Sequence, residues 1–230
     1  MDTKEEAKKW IKSNIKEILQ KFANVDEFPS VENPFTIFMA GSPGAGKTEF
    51  SKVFIQNYDS ETKIVRIDAD EIRDLIPQYK EGNAYKVQGA AALGVEKLFD
   101  HVQKYKQNAI LDGTFSDLKI SLNNVKRALN RNRKVGIMYI YQDPKIAWEF
   151  TKKREKIEGR HVSKEMFIDS YFKAMENVNL VKQKYGKDIE FNIAIKDYQN
   201  NLEKTHFNIE MLDSYIKNEY TKGVLERILQ

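Results

Sequence analysis

The sequence predicts an α/β fold of three layers: a mostly parallel five-stranded sheet flanked by helices, with an N-terminal helix and a C-terminal helical extension. Three observations predict it. Beyond Pro34, short β-prone runs alternate with longer helical stretches, the pattern of parallel strands joined by crossover helices. The first run ends in a glycine-rich turn that opens the next helix. Hydrophobic residues make up 41% of the 230 positions, enough for a sizeable core.

The elements follow in order. Apolar residues at Trp10, Ile11, Ile15, Ile18, Leu19 and Phe22 share one helical face, which predicts an amphipathic helix from Ala7 that closes before Pro29 and packs on the body of the protein. Strands are expected at 36–40, 63–67, 109–111, 135–141 and 189–195. Helices are expected at 47–58, 83–107, 117–130, 144–157 and 163–184. The second of these, with Gly89, Ala90, Ala91, Ala92 and Gly94, presents small side chains that allow another backbone or a ligand close approach. An edge strand near 207–209 and a terminal helix over 213–229 complete the reading. The length fits one domain over 1–230, with 1–34 as an N-terminal extension, 35–197 as the core and 198–230 as a C-terminal extension.

Composition excludes several classes. Lys plus Arg number 38 against 34 Asp plus Glu, a net charge of +4, so no nucleic-acid partner is expected. Without Cys there are no disulfides, no thiolate metal sites and no Cys nucleophile. His101, His161 and His206 are too scattered in sequence to suggest a metal cage. The charged start, MDTKEEAKKW, is unlike a secretory signal, and no apolar run approaches the ~18 residues of a membrane span. A soluble, cytoplasmic protein without a membrane partner is expected.

The strongest motif is Gly41-Ser42-Pro43-Gly44-Ala45-Gly46-Lys47-Thr48, which fits G-x-x-x-x-G-K-[ST] between a strand and a helix. Its glycines let backbone N–H groups curl around phosphates, and the helix N-terminus adds a positive dipole end. The cradle, extended to Glu49, is assigned to ATP; Lys47 neutralises the terminal phosphates, and the Thr48 hydroxyl is the expected Mg²⁺ ligand. The fold expected is therefore P-loop kinase-like.

The second strand runs into Asp68-Ala69-Asp70-Glu71 at the sheet edge where such folds bind ligands. One of these carboxylates can accept the proton of an attacking hydroxyl, whereas Asp70 also suits a helix N-cap. Asp112-Gly113-Thr114 ends the third strand, either to hold substrate or Mg²⁺ or to make a turn on a special Gly113 angle. Asp143-Pro144 reads as a cap followed by a first-turn proline, with no chemistry assigned. From 145 to 164 there are seven Lys or Arg against three Glu, either a lid whose arginines close over phosphates or a solvated helix face.

Over about four fifths of the chain, from Trp10 to Ile195, this order of elements resembles the zeta toxins of bacterial toxin-antitoxin systems. The phosphate loop, Ile67-Asp68-Ala69-Asp70 with Arg73 and Pro77, then Asp112-Gly113-Thr114 and the arginine-bearing lid carry the resemblance. It implies a kinase that moves the ATP γ-phosphate to the 3′-hydroxyl of the amino sugar in UDP-N-acetylglucosamine, starving cell-wall synthesis, and a protein antitoxin as partner. By that resemblance Asp70 is the base, Lys47 the phosphate lysine, Thr48 the magnesium hydroxyl, Arg154 and Arg160 the lid arginines, and Arg73, Asp112 and Thr114 lie on the nucleotide-sugar substrate. The family usually has Glu where this chain has Asp112, and Arg154 and Arg160 are more closely spaced than is usual, so Arg133 or Lys156 are alternatives for the lid. A polynucleotide or nucleoside kinase, or a nucleotide-dependent switch, are the competing readings.

Overall fold

The computed structural model describes every residue except Met1, Ser60, Glu81, Arg160, Tyr198, Asn200 and Asn218. The N-terminal apolar stripe folds as two helices rather than one, α1 (Thr3–Ser13) and α2 (Ile15–Ala23). Asn14 breaks them: its side-chain amide donates to the Trp10 carbonyl at 2.8 Å, competing with the backbone as Asn does in helix interiors. The apolar face is nonetheless continuous, with Ala7, Ile11, Ile18 and Ala23 buried.

The chain then alternates as expected through β1 (Phe35–Ala40), α3 (Lys47–Asn57), β2 (Ile64–Asp68), a short α4 (Ala69–Asp74), α5 (Ala84–Lys104), β3 (Asn108–Asp112) and α6 (Leu118–Leu129). It continues through β4 (Lys134–Tyr141), α7 (Pro144–Glu158), α8 (Lys164–Tyr185), β5 (Ile189–Lys196), β6 (Leu202–His206) and α9 (Lys222–Ile228). The strand order is β2-β3-β1-β4-β5-β6, with all pairs parallel except β5–β6. The sheet thus has six strands, the sixth an antiparallel edge five residues before its expected position. The terminal helix is shorter than expected because the Thr221 hydroxyl caps it late, accepting from Val224 N at 3.3 Å.

Close packing accounts for part of the small-residue stretch of α5. A Cβ on Gly94 would lie 2.7 Å from Ile72 Cγ2 and 3.6 Å from Ile11 Cδ1, so α1 and α4 both approach the helix there. The strand β1 lies between β3 and β4. Because the connections after β1 and β3 leave toward opposite sides of the sheet, the loops at its carboxyl edge diverge and open a crevice. Among the described residues no helix is long and apolar enough to cross a membrane.

Candidate phosphate-transfer site

Why the loop after β1 must be glycine-rich is visible in its surroundings. A Cβ on Gly41 (φ +135°) would fall 2.4 Å from the Ile140 carbonyl oxygen of β4. One on Gly44 (φ +71°) would fall 2.0 Å from the Ala147 carbonyl oxygen and 2.6 Å from Thr151 Oγ1 of α7. The loop is therefore pressed against the helix expected to form the lid. Gly46 (φ +87°) caps α3 in a left-handed conformation that glycine adopts without strain.

Lys47 opens α3 and folds back, its Nζ donating to the carbonyls of Gly41 at 3.1 Å and Ser42 at 2.7 Å. Pro43, Gly44, Gly46, Lys47, Thr48 and Glu49 line a cavity of about 300 Å³. Gly41, Ser42 and Ala45 are buried outside that lining. Burial partly desolvates Lys196 and lowers its pKa, a shift that the Glu49 carboxylate opposes.

The same cavity is walled by Asp68, Asp70, Arg73, Asp112, Thr114 and Arg154. Parallel pairing of β2 with β3 sets Asp68 opposite Asp112. Arg66, two residues before Asp68 and so on the same face of β2, reaches Asp68 Oδ2 at 2.7 Å, Asp112 Oδ2 at 3.5 Å and Glu71 Oε1 at 3.1 Å. The Ser51 hydroxyl lies within bonding distance of Asp112 Oδ2 at 3.2 Å and the Thr48 carbonyl at 3.0 Å. Burial, together with the nearby Asp112 and Asp70 charges, raises the Asp68 pKa to about 6, against the pull of the Asp70 N–H and Arg66.

The N-cap of α4 is Asp68, not Asp70: Asp68 Oδ1 accepts from Asp70 N at 2.8 Å. Capping occupies the first acid of the segment and leaves the second to face the cavity. Asp70 Oδ1 lies 2.5 Å from Arg73 Nη1, one turn along α4, and Asp70 Oδ2 lies 3.6 Å from Arg154 Nη2 on α7. Arg73 is buried, and its Nη2 donates to Gln88 Oε1 of α5 at 2.8 Å.

No sequence signal pointed to Gln88, whose contact depends on how α4 and α5 pack. Arg66 was equally hidden, although its place two residues before Asp68 on a strand was a usable signal. The Gly113 angle is ordinary; the left-handed residue of that turn is Phe115 (φ +62°). Thr114 pairs its hydroxyl with Ser116 Oγ at 2.7 Å, while its carbonyl accepts from Gly41 N at 3.2 Å and so ties the β3 turn to the phosphate loop.

Arg160 lies outside the described residues. Arg133 is no lid residue. It is buried at the amino edge of the sheet and donates to Thr36 Oγ1 at 2.6 Å, Phe35 O at 2.7 Å and Gln107 O at 2.5 Å. Burial lowers its pKa to about 10. Lys156 is exposed near the end of α7. Asp143 caps α7 ahead of Pro144, accepting from Lys145 N at 2.9 Å.

A phosphate loop, a carboxylate just past β2 and a helix-borne arginine thus face one cavity, and the family model for zeta toxins matches residues 19–207. The chain belongs to the zeta toxin family. Its fold is also that of a chain in the PezAT chromosomal toxin-antitoxin system of Streptococcus pneumoniae, with a TM-score of 0.68 at 16% identity over 95% of this chain and 86% of that one. An AvrRxo1-ORF1:-ORF2 complex with ATP gives 0.63 at 10% identity over 98% and 73%. The Pnkp1/Rnl/Hen1 RNA repair complex gives 0.51 at 18% over 79% and 50%. At these identities the likeness is one of fold. No curated protein matches the chain by sequence.

The zeta toxin family assignment covers β1 to β6 but omits α1. Beside the phosphate cavity lies a larger cleft of about 770 Å³ that shares Ala69, Gln88, Asp112, Gly113 and Thr114 with it. Both volumes suit small-molecule ligands.

Proposed function

We propose that the protein is an ATP-dependent kinase that phosphorylates a hydroxyl of a nucleotide sugar, most simply the 3′-hydroxyl of the amino sugar of UDP-N-acetylglucosamine. The outcome would be inhibition of cell-wall synthesis. The observation that carries this reading is the cavity lined by Lys47, Thr48, Asp70 and Arg154, which shares Ala69, Gln88, Asp112, Gly113 and Thr114 with a second, larger cleft. ATP would occupy the first and the acceptor the second.

In this reading Lys47 exchanges its loop carbonyls for the β- and γ-phosphate oxygens. Asp70 accepts the acceptor's proton as its oxygen approaches the γ-phosphorus. Arg154 offers a planar fork to the charge that spreads over the transferring group. Arg73 holds the Asp70 carboxylate in one rotamer, and its Nε, buried without a partner among the described residues, is a donor left for the acceptor. Thr48, with the Asp68 and Asp112 carboxylates lining the same cavity, forms an oxygen-rich donor set that suits Mg²⁺. When bound, that ion would neutralise phosphate charge during transfer.

An antitoxin that blocks this site would be the expected protein partner, in keeping with the family. The reading is tested by incubating the protein with ATP, Mg²⁺ and a panel of nucleotide sugars and oligonucleotides, and following new phosphomonoesters by phosphorus NMR. Labelling of UDP-N-acetylglucosamine that vanishes in Asp70→Ala and Lys47→Ala is expected. Labelling confined to DNA or RNA ends would replace this function with polynucleotide phosphorylation.

A further inference from the structure

The larger cleft runs along α5 from Gln88, beside Arg73, to Phe99. Eleven steps of 1.5 Å rise make it about 16 Å long. Its walls are largely apolar, with Phe38, Leu93, Phe99 and Phe115 among them, yet α1 adds Lys8 and Lys12.

Packing explains how. The Lys8 stem crosses α5 at Gly89, with Cε 3.4 Å from where a Cβ would stand, and Ile11 meets the same helix at Gly94. The contacts advance together along both helices, which puts Lys12 further along the cleft than Lys8. At four-residue spacing the two stems are about 5–6 Å apart. Arg127 stacks over Phe99, 5.1 Å from the ring centroid, and pairs with Asp100.

The remaining lining charges are mostly committed. Asp112 faces Arg66 and Ser51, and Asp117 caps α6. Among the described residues the one ion pair of Lys8 is an exposed 3.5 Å contact with Glu5. Lys12 has no ion-pair partner among the described residues. Against these two cations stands Glu96. Two ammonium groups one helical turn apart over an apolar trough suit an elongated ligand with adjacent phosphates and a flat or hydrophobic end.

We propose that Lys8 and Lys12 bind the phosphate or diphosphate of the acceptor, making α1 part of the acceptor site. The proposal rests on the kinase reading above and deepens it: the acceptor is an anion whose charge sits away from the reacting hydroxyl. Both lysines stand on α1, outside the family-matched residues 19–207.

The test fills the phosphate loop with a non-hydrolysable ATP analogue and titrates UDP by calorimetry into wild type, Lys8→Glu/Lys12→Glu, Lys8→Gln/Lys12→Gln and a control, Lys4→Glu/Lys9→Glu. The control carries the same net charge change on exposed residues outside the cleft. Charge reversal should weaken UDP binding by about 10-fold or more, neutralisation by less, and both should flatten the salt dependence. Acceptor KM for UDP-N-acetylglucosamine should rise in step, while the KM for ATP stays within about 2-fold. Unchanged UDP affinity on reversal, equal weakening in the control, or a wild type that takes up no UDP would each overturn the proposal. Intact, lysine-dependent UDP binding without phosphoryl transfer would instead overturn the kinase reading and leave the anion site standing.

Discussion

Arg73 Nη1 lies 2.5 Å from Asp70 Oδ1, and the far side of the same guanidinium is held by Gln88 Oε1 at 2.8 Å. Asp70 is thereby aimed by a buried fork whose own anchor stands on a different helix. Placing the base on α4 and its orienting chain on α5 couples the first cavity to the second, since Gln88 lines both.

Removing the carboxylate tests the proposed base directly. Asp70→Asn should reduce kcat by at least about 10²–10⁴-fold, the usual contribution of a positioned general base. Affinity for ATP, measured by fluorescent-nucleotide displacement, should change by less than about 3-fold, because the phosphate loop is untouched.

Loosening the orienting chain should act more gently. Gln88→Met removes the Arg73 acceptor while preserving length, and kcat is expected to fall about 10-fold with little loss of thermal stability, Gln88 being exposed. Gln88→Glu keeps an oxygen for Arg73 and should recover most of that loss. Equal defects in the two variants would show that the contact with Arg73 does not orient the base.

Gly44 is predicted to tolerate no side chain. A methyl group there would meet the Ala147 carbonyl at 2.0 Å, and the backbone angle is already left-handed. Gly44→Ala should cost about 2–3 kcal/mol in a denaturant titration and abolish ATP binding, as α7 is pushed off the loop. Normal nucleotide affinity in this variant would show that the loop and α7 are not rigidly packed.

Asp68 predicts a pH signature in stability. Its folded pKa is about 6, against 3.8 for the ordinary side chain. A raised carboxylate destabilises the folded state where it is ionised, so the cost is fully present above pH 6. It is relieved as pH falls toward 3.8, because the folded state then binds the proton first. The gap corresponds to about 3 kcal/mol. Asp68→Asn keeps the cap on α4 and removes the titration, so its stability relative to wild type should be more favourable at pH 7.5 than at pH 4.5, by about 2 kcal/mol. A difference independent of pH would contradict the burial argument.

Arg133 supplies a contrasting variant. Its guanidinium staples β1 to the turn before β3 at the edge remote from the cavity. Arg133→Met should therefore lower stability by about 3–5 kcal/mol, leaving buried carbonyls unpaired. The KM for ATP in the remaining folded protein should be unaffected.

The chain's alternation of elements and its phosphate loop were legible from the sequence because both rest on local physics. In a strand–loop–helix unit the glycines at Gly41, Gly44 and Gly46 supply the positive φ angles that the loop needs, a requirement written in the local sequence. Side-chain period likewise announces which face of each helix is buried, as Ala7, Ile11 and Ile18 show. Pairing lay beyond that reach. Whether Asp68 or Asp70 caps α4 turned on one backbone hydrogen bond, and Arg133 went to the opposite edge of the sheet because a buried guanidinium needs several carbonyls at once. Gln88, Lys8 and Lys12 came to the crevice only through the packing of α1, α4 and α5. Contacts between residues far apart in the chain depend on the relative placement of whole elements, and no local spacing encodes that placement.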